Sequence, residues 1–185
     1  MRFASISIVA LPVVLATLSG CASGPATRTD KDPMADLGAY KTFAFFSPLT
    51  TDRMQYSTID SRRLKQATRE QLERRGYTYR EEGPDLRVQL YLKVVERQEV
   101  RSSASPGFYG PRALAVASAG YRSVETVDYR QGTLTIDLVD THRNALVWQG
   151  VAEGRLGNKT HDHPDQVVDD VVGRLFAGFP ANGAK

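Results

Sequence analysis

The chain has 185 residues, a net charge of +3 at neutral pH and one cysteine. This length allows one domain with a substantial core and is too short for two such domains. One cysteine excludes an intramolecular disulfide, and the weak positive charge gives no reason to expect a nucleic-acid partner.

The N-terminal segment is typical of a secretion signal. Arg2 supplies a positive charge, and an apolar run extends from Ile6 to Leu18. This run is shorter than the roughly 20 residues that a membrane-spanning helix requires. Small residues after Leu18 lead directly into Cys21, so that the four residues LSGC resemble a bacterial lipobox. An incidental thiol after an apolar N-terminus is the alternative interpretation.

The resemblance to a lipobox implies that residues 1–20 are a lipoprotein signal peptide that is removed before Cys21. It also implies a diacylglycerol on the Cys21 sulfur and usually a third acyl chain on the new N-terminus. Two or more acyl chains form a stable membrane anchor, because each buried methylene contributes about 0.8 kcal/mol. Inner-membrane lipoproteins of the enterobacterial pattern carry aspartate at the next position. This chain has Ala22 there, which predicts sorting to the periplasmic face of the outer membrane.

Residues 21–37 are polar and lack any periodic pattern, which predicts a flexible tether after the lipidated cysteine. Residues 38–181 are predicted to form a single domain, and residues 182–185 a short tail. At the start of this domain, bulky aromatic residues alternate with smaller ones from Tyr40 to Phe46. This alternation predicts the first strand.

The next two elements are a helix and a strand. Ser57 or Thr58 can cap a helix that extends to Arg75, and Gly76 can take the left-handed conformation after its end. Residues 86–94 then alternate apolar and polar side chains. This pattern predicts a strand with one buried face and one solvated face, which suits an antiparallel sheet.

Two further strand regions follow along the chain. Residues 121–130 predict a strand that is followed by a bulge or turn at Gly132. Residues 134–148 predict a hairpin, because two apolar runs flank the polar segment 140–144.

The last predicted element is a helix that begins at Pro164, with Asp162 as its cap. Its broad apolar face predicts packing on the sheet and consists of Val167, Val168, Val171, Val172, Leu175 and Phe176. A sheet that is solvated on one face requires cover on the other. We therefore predict an α+β fold, a two-layer sandwich with a mainly antiparallel sheet and two helices packed on one face.

Residues 102–120 fit no regular element. The segment is rich in Ser, Ala, Gly and Pro and contains Phe108 and Tyr109. Unstructured loops of this length are uncommon in compact domains and are either functional or disordered. The composition favours disorder, and a partner surface that includes the two aromatic side chains is the alternative.

Six short motifs occur in order along the predicted domain. They are YKTFAF at 40–45, GY at 76–77, PDLRV at 84–88, GTLTID at 132–137, LVWQG at 146–150 and FP at 179–180. This ordered set resembles a family of bacterial lipoproteins that share the domain of unknown function DUF4136. The resemblance implies an envelope lipoprotein with a small α+β domain. It carries over no catalytic residues.

His161 and His163 flank Asp162 and are the nearest approach to a metal-binding motif. Two histidines beside a carboxylate can bind zinc if further ligands come from elsewhere in the fold. A polar entrance to the last helix is the interpretation that we favour. We predict no metal and no cofactor, and keep a metal-dependent periplasmic hydrolase that uses the two histidines as the alternative function.

Two surfaces are candidates for contact with a partner. Arg62, Arg63 and Arg69 lie on the basic predicted helix, and Arg87 and Tyr91 lie on the solvated face of the strand that follows. The cationic helix could bind lipid headgroups or acidic cell-wall polymers. The alternative is a solvated helix face that is stabilised by ion pairs four residues apart.

Asp137 and Asp140 are the remaining candidates for acid–base chemistry. Asp137 falls on the solvated side of its predicted strand, and Asp140 begins a turn, where aspartate is common. Neither a nucleophile-elbow motif nor a phosphate-binding loop occurs in the sequence. We therefore predict a non-catalytic module that is anchored to the membrane by the acyl chains on Cys21 and that binds an envelope protein or a cell-wall partner.

Overall fold

The structure is a computed structural model, and it describes residues 24–52, 57–104 and 122–183. The predictions for Cys21, Ala22, Phe108 and Tyr109 therefore lie outside the described residues. The elements in chain order are β1 (Ala26–Lys31), a 3₁₀ helix (Leu37–Ala39), β2 (Thr42–Phe45), α1 (Ile59–Glu73), β3 (Thr78–Tyr79), β4 (Leu86–Ala104), β5 (Arg122–Asp140), β6 (Ala145–Leu156), α2 (Asn158–Asp162) and α3 (Pro164–Leu175).

The strands form one mixed sheet in the order β1-β6-β5-β4-β2-β3. The pairs β1–β6, β6–β5 and β5–β4 are antiparallel, whereas β2 is parallel to both β4 and β3. The long helices α1 and α3 pack against the sheet and contribute to a common core. The predicted two-layer α+β sandwich is confirmed.

The core lies between the sheet and the two long helices. Alternate residues of the central strands are fully buried on that side of the sheet: Leu86, Val88, Leu90, Ile136 and Leu138. The helices contribute Leu64, Leu72, Val172 and Leu175. Full burial of one such side chain stabilises the fold by about 1.5–3 kcal/mol, so this period-two pattern is what holds the sandwich together.

Helix α1 begins where the sequence predicts and ends at Glu73, two residues before the predicted end at Arg75. The Thr58 hydroxyl accepts a hydrogen bond from the Ser61 N–H at 3.0 Å, which satisfies one free amide of the first turn. Gly76 follows the helix with a φ of +86°, a conformation that glycine adopts without strain.

Helix α3 begins at Pro164 as predicted, but the prediction that Asp162 caps it is wrong. Asp162 is the last residue of α2, and its Oδ1 lies 3.3 Å from Nδ1 of His161. His163 occupies the N-cap position and makes no side-chain capping bond. Proline lacks an N–H and has a fixed φ, so it can begin the helix without help from a capping side chain.

The predicted tether over residues 21–37 is wrong for its described part, because it contains a strand. Ala26–Lys31 pairs along β6, and the N–H of Asp32 continues this pairing with the Val147 carbonyl at 3.0 Å. All six side chains of β1 are exposed. An edge strand that is held by backbone hydrogen bonds alone leaves no apolar pattern in the sequence.

The predicted bulge or turn at Gly132 is also wrong. Gly132 lies within the continuous strand β5, paired with Val94 on one side and Gly154 on the other. A Cβ at this position would lie 2.9 Å from the end of the Leu156 side chain, so the glycine allows Leu156 to lie close to the strand and does not form a turn. The register shift lies instead between Leu138 and Val139.

The strands β4 and β5 form a long hairpin that extends beyond the rest of the sheet. They pair from Leu86–Asp140 to Ala104–Arg122, whereas β6 follows β5 only as far as the pair Arg130–Leu156. Residues 102–104, predicted as part of a loop, therefore belong to β4. We call residues 97–104 and 122–129 the ribbon, because no third strand among the described residues pairs with them.

Candidate functional site

The sheet is longer than the helices that cover it. Helix α1 has 15 residues and spans about 22 Å, whereas β4 has 19 residues and spans about 60 Å. The apolar face of β4 consequently continues past the first turns of α1 and α3. Leu92 and Val94 lie on this continuation and are 42% and 48% exposed, although their alternation predicts burial.

The uncovered part of the sheet forms the floor of a groove of about 610 Å³. The groove begins at Gly24 and Pro25 and passes under the N-terminal halves of α1 and α3. Its apolar lining consists of Leu64, Leu92, Val94, Leu134, Ala152, Leu156, Val167, Val168 and Val171. We call this the apolar groove.

Two glycines shape the floor of the apolar groove. Gly132 and Gly154 face each other on β5 and β6. A Cβ at Gly154 would lie 3.1 Å from the Cβ of Pro25, and one at Gly132 would press on Leu156. The missing side chains let Pro25 and Leu156 lie close to the sheet, which places the start of the described chain at the groove.

Four charged residues also line the apolar groove. The lining contains Asp60, Arg130, Glu153 and Arg155, and no histidine or cysteine among the residues that the structure describes. Hydrogen bonding to Glu99 raises the pKa of Arg155, so this side chain stays cationic. The groove can therefore bind an apolar chain, but its lining offers no nucleophile with an adjacent base.

Asp140 lies at the opposite end of the hairpin and is 4% exposed. The Tyr40 hydroxyl donates to it at 2.8 Å, and Nε of Arg143 donates at 2.7 Å. The backbone N–H groups of His142 and Arg143 also donate to the carboxylate. Burial alone would raise the pKa of Asp140, but these bonds hold it well below its ordinary value. The carboxylate thus closes the β5–β6 turn.

Asp137 does not form a catalytic pair with Asp140. It lies on the solvated face of β5, as predicted, and accepts a hydrogen bond from Nε2 of Gln149 at 2.8 Å. Burial raises the pKa of Asp137, while the bond from Gln149 acts in the opposite direction. Asp137 lies in the sheet and Asp140 lies in a turn, so the two carboxylates have different hydrogen-bond partners.

The predicted basic residues of α1 are engaged with neighbouring groups. Arg63 contacts Asp165 at 2.5 Å, and Arg62 donates to the carbonyl of Ser57. Two further contacts involve Arg69, which pairs with Glu73 at 2.7 Å and lies over the Tyr79 ring at 4.4 Å. Because each of these arginines already has a partner, and Arg69 pairs within the helix, the contacts favour the interpretation of a solvated helix face.

The other predicted partner residues lie on the opposite side of the sheet. Arg87 lies over the Phe46 ring at 5.7 Å, and Tyr91 is exposed across from Thr135. The arginines of α1 belong to the helix layer, so the structure does not bring the two predicted surfaces together.

The two candidate metal ligands lie at the junction of α2 and α3. His161 is exposed, and His163 is the residue before Pro164. Within residues 24–52, 57–104 and 122–183, no group of three His, Cys, Asp or Glu side chains is arranged to hold a metal ion. The same described ranges contain no helix with the length and apolarity to cross a membrane.

Comparison with known proteins gives a family and a fold. The family model described as domain of unknown function (DUF4136) matches residues 27–181. A DUF4136 family protein from Bacteroides thetaiotaomicron has 16% identity and a TM-score of 0.52, and the alignment covers 84% of this chain and 95% of that one. This likeness supports the fold alone.

Two further solved structures are similar over most of this chain. A PDZ domain protein from Parabacteroides distasonis has 18% identity and a TM-score of 0.49, over 83% of this chain and 35% of that one. This chain therefore spans about a third of that structure. A minor lipoprotein from Acinetobacter baumannii has 12% identity and a TM-score of 0.38, over 77% and 94% of the two chains. The search of curated proteins gives no match.

Proposed function

The chain belongs to the DUF4136 family, and we propose that it is a lipid-anchored outer-membrane lipoprotein whose periplasmic domain binds an apolar chain without catalysis. The apolar groove is the observation that carries the binding part of this proposal. Its volume of about 610 Å³ is typical of ligand sites, which range from roughly 300 to 1,000 Å³. Exposed apolar patches in soluble domains commonly mark such sites.

The position of the groove supports a ligand that comes from the membrane. Gly24 lines the groove and follows Cys21 by three residues. Three residues span at most about 11 Å of extended chain. Acyl chains on Cys21 would hold the mouth of the groove at the bilayer surface, where lipid chains are the abundant apolar molecules.

The lipid anchor is tested by labelling cells with a palmitate analogue. We expect Cys21→Ser to abolish labelling and to leave a precursor that retains residues 1–20, because the acyl acceptor is lost. Ser23→Ala is the matched control, since it changes a neighbouring small polar residue and keeps the cysteine. Label on the Cys21→Ser chain would contradict the proposed acceptor.

The destination of the lipoprotein is tested by separating inner from outer membranes on a density gradient. We expect the wild-type chain in the outer-membrane fraction and Ala22→Asp in the inner-membrane fraction. An aspartate beside the acylated cysteine would provide the retention signal that Ala22 lacks. Wild-type protein in the inner fraction would contradict the proposed location.

The binding site is tested with a fluorescent long-chain fatty acid and a chain that begins at residue 24. We expect Val94→Asp to weaken binding at least about tenfold, because a carboxylate would face the apolar chain. Leu146→Asp is the matched control, because Leu146 is 47% exposed and lies outside the groove. Equal binding by the two variants, or none by the wild type, would contradict the proposal.

A further inference from the structure

Among the described residues, one edge of the long strand β4 is unpaired over much of its length. β2 pairs with it as far as Val88, and Oε1 of Gln89 then accepts hydrogen bonds from the N–H groups of Leu90 and Thr50, each at 3.0 Å. From Leu92 onward, no strand in the described part of the chain pairs with this side of β4. The other side remains paired with β5 to its end.

The backbone groups that point to this edge belong to alternate residues. The carbonyl of Val88 faces the edge, because it accepts a hydrogen bond from the N–H of Phe46 at 2.9 Å. Along a strand, every second residue directs its N–H and C=O to the same side. The edge therefore presents the donors and acceptors of Leu92, Val94, Glu96, Gln98 and Val100, a template for another strand.

Apart from the contacts of Arg155 with Glu99 and the Tyr129 ring, the ribbon has no third strand to support it in the described part of the chain. Isolated two-stranded ribbons are marginally stable in water, and independent stability normally requires three or more strands. Val100 lies on the ribbon and is 66% exposed. A further strand added along β4 would give the ribbon more than two strands. It would also cover part of the exposed apolar surface at Val100.

We propose that the free edge of β4 pairs with the same edge of a second copy of this chain, antiparallel about a two-fold axis at Gln98. Gln98 of each copy would exchange backbone hydrogen bonds with Gln98 of the other. Arg97 of each copy would then lie directly opposite Glu99 of the second copy, twice across the interface. Opposite charges at directly paired positions stabilise a sheet.

The charges of β4 disfavour neighbouring registers. An axis at Glu96, Arg97 or Glu99 would place two identical charges directly opposite each other. An axis at Val95 would place Lys93 opposite Arg97, which is also repulsive. Charges that merely protected this edge would disfavour every register, whereas this sequence allows an attractive one.

Two other axes avoid repulsion but give a poorer pairing. An axis at Val94 would bring the second strand onto the edge that Gln89 and Thr50 already occupy. An axis at Val100 places Glu99 opposite Arg101, but it uses only residues 96–104 of β4. The axis at Gln98 pairs the whole free edge from Leu92 to Ala104.

The proposal is tested by cysteine cross-linking of the full chain in membranes of the expressing cells. Gln98→Cys should give a covalent dimer with a bismaleimide shorter than two strand spacings, ~10 Å. Asp128→Cys is the matched control, because Asp128 faces Gln98 on β5 and would lie roughly 14 Å, three strand spacings, from its copy. The wild-type chain measures the background from Cys21.

A charge exchange between two chains tests the register. In the Gln98→Cys background, Arg97→Glu alone and Glu99→Arg alone should each reduce the cross-linked dimer at least fivefold, because each single variant places like charges opposite each other twice. Co-expression of the two variants should restore the dimer. One chain then carries acidic side chains at both positions 97 and 99 and the other carries basic ones, so the facing charges attract only between unlike chains.

Three results would overturn the proposal. The first is the absence of a dimer with Gln98→Cys, which would mean that this edge has another occupant or none. The second is an equal yield with Asp128→Cys, which would indicate random collision. The third is a dimer that is insensitive to the Arg97→Glu and Glu99→Arg changes.

Discussion

The β4–β5 hairpin is buried at one end and exposed at the other. Where β4 begins and β5 ends, Val88 and Leu138 face each other in the core. The hydrogen-bonded carboxylate of Asp140 closes the turn that follows. Where β4 ends and β5 begins, Val94 and Val100 remain exposed, and the described chain adds no third strand to the ribbon. One pair of strands therefore provides stability at one end and a surface for contact at the other.

The largest expected effect on stability comes from a substitution at the buried end of the hairpin. Ile136→Ala removes a fully buried side chain from the centre of the sheet and should lower the free energy of unfolding by about 2–5 kcal/mol. Val100→Ala in the ribbon should change it by less than ~0.5 kcal/mol. Urea unfolding monitored by the fluorescence of Trp148 measures both, and equal effects would contradict the comparison.

A smaller effect is expected at the Asp140 turn. Asp140→Asn removes the charge that Arg143 and Tyr40 contact, which should cost about 1.5–3 kcal/mol at neutral pH. The pKa of Asp140 is lowered by folding, so its contribution is present above the ordinary value of 3.8 and is lost as the pH falls below it. The difference between wild type and variant should therefore shrink in acid. A difference that does not change with pH would contradict the role of the charge.

Two glycines of the sheet allow the same substitution to be compared beside the core and in the apolar groove. A Cβ at Gly150 would lie 2.5 Å from the buried Trp148 ring, and Gly150→Ala should destabilise the domain by about 1–3 kcal/mol through overpacking. Gly132→Ala meets only the end of the Leu156 side chain, which can move. We expect a lower cost there, together with weaker binding of the fatty-acid probe. Thermal unfolding and probe titration separate the two effects.

The smallest expected effect concerns Asp137 on the solvated face. Folding raises the pKa of this carboxyl, so its ionisation opposes folding as the pH rises through 3.8. Asp137→Asn keeps an oxygen for the Gln149 amide and removes the charge. We expect a gain below ~1 kcal/mol at neutral pH and none in acid. A loss of stability at neutral pH would show that the charge is favourable there.

Much of the fold could be predicted from the sequence, because burial leaves a local pattern. The alternation over residues 86–94 and the spacing of apolar residues after Pro164 correctly placed β4 on the sheet and α3 on its covered face. The turn at 140–144 and the family were likewise predicted from short motifs. In each case the residues that matter are close together in the chain.

The candidate site could not be predicted in this way. Leu92 and Val94 have the same alternation as their buried neighbours, and only the point where α1 and α3 begin leaves them uncovered. The sequence does not show this point, because helices advance about 1.5 Å and strands about 3.3 Å per residue and the difference appears only when the elements are packed.

The sequence by itself determined the two long helices, the strand regions of the central sheet, its apolar face and the expectation of a lipid anchor at Cys21, because each depends on residue types at short spacing. Only the tertiary structure decided that Ala26–Lys31 joins the sheet, that β5 runs uninterrupted through Gly132, and that a groove opens beyond the helices. The physical reason is that edge pairing uses backbone groups common to all residues other than proline. The groove, in turn, depends on where distant elements end.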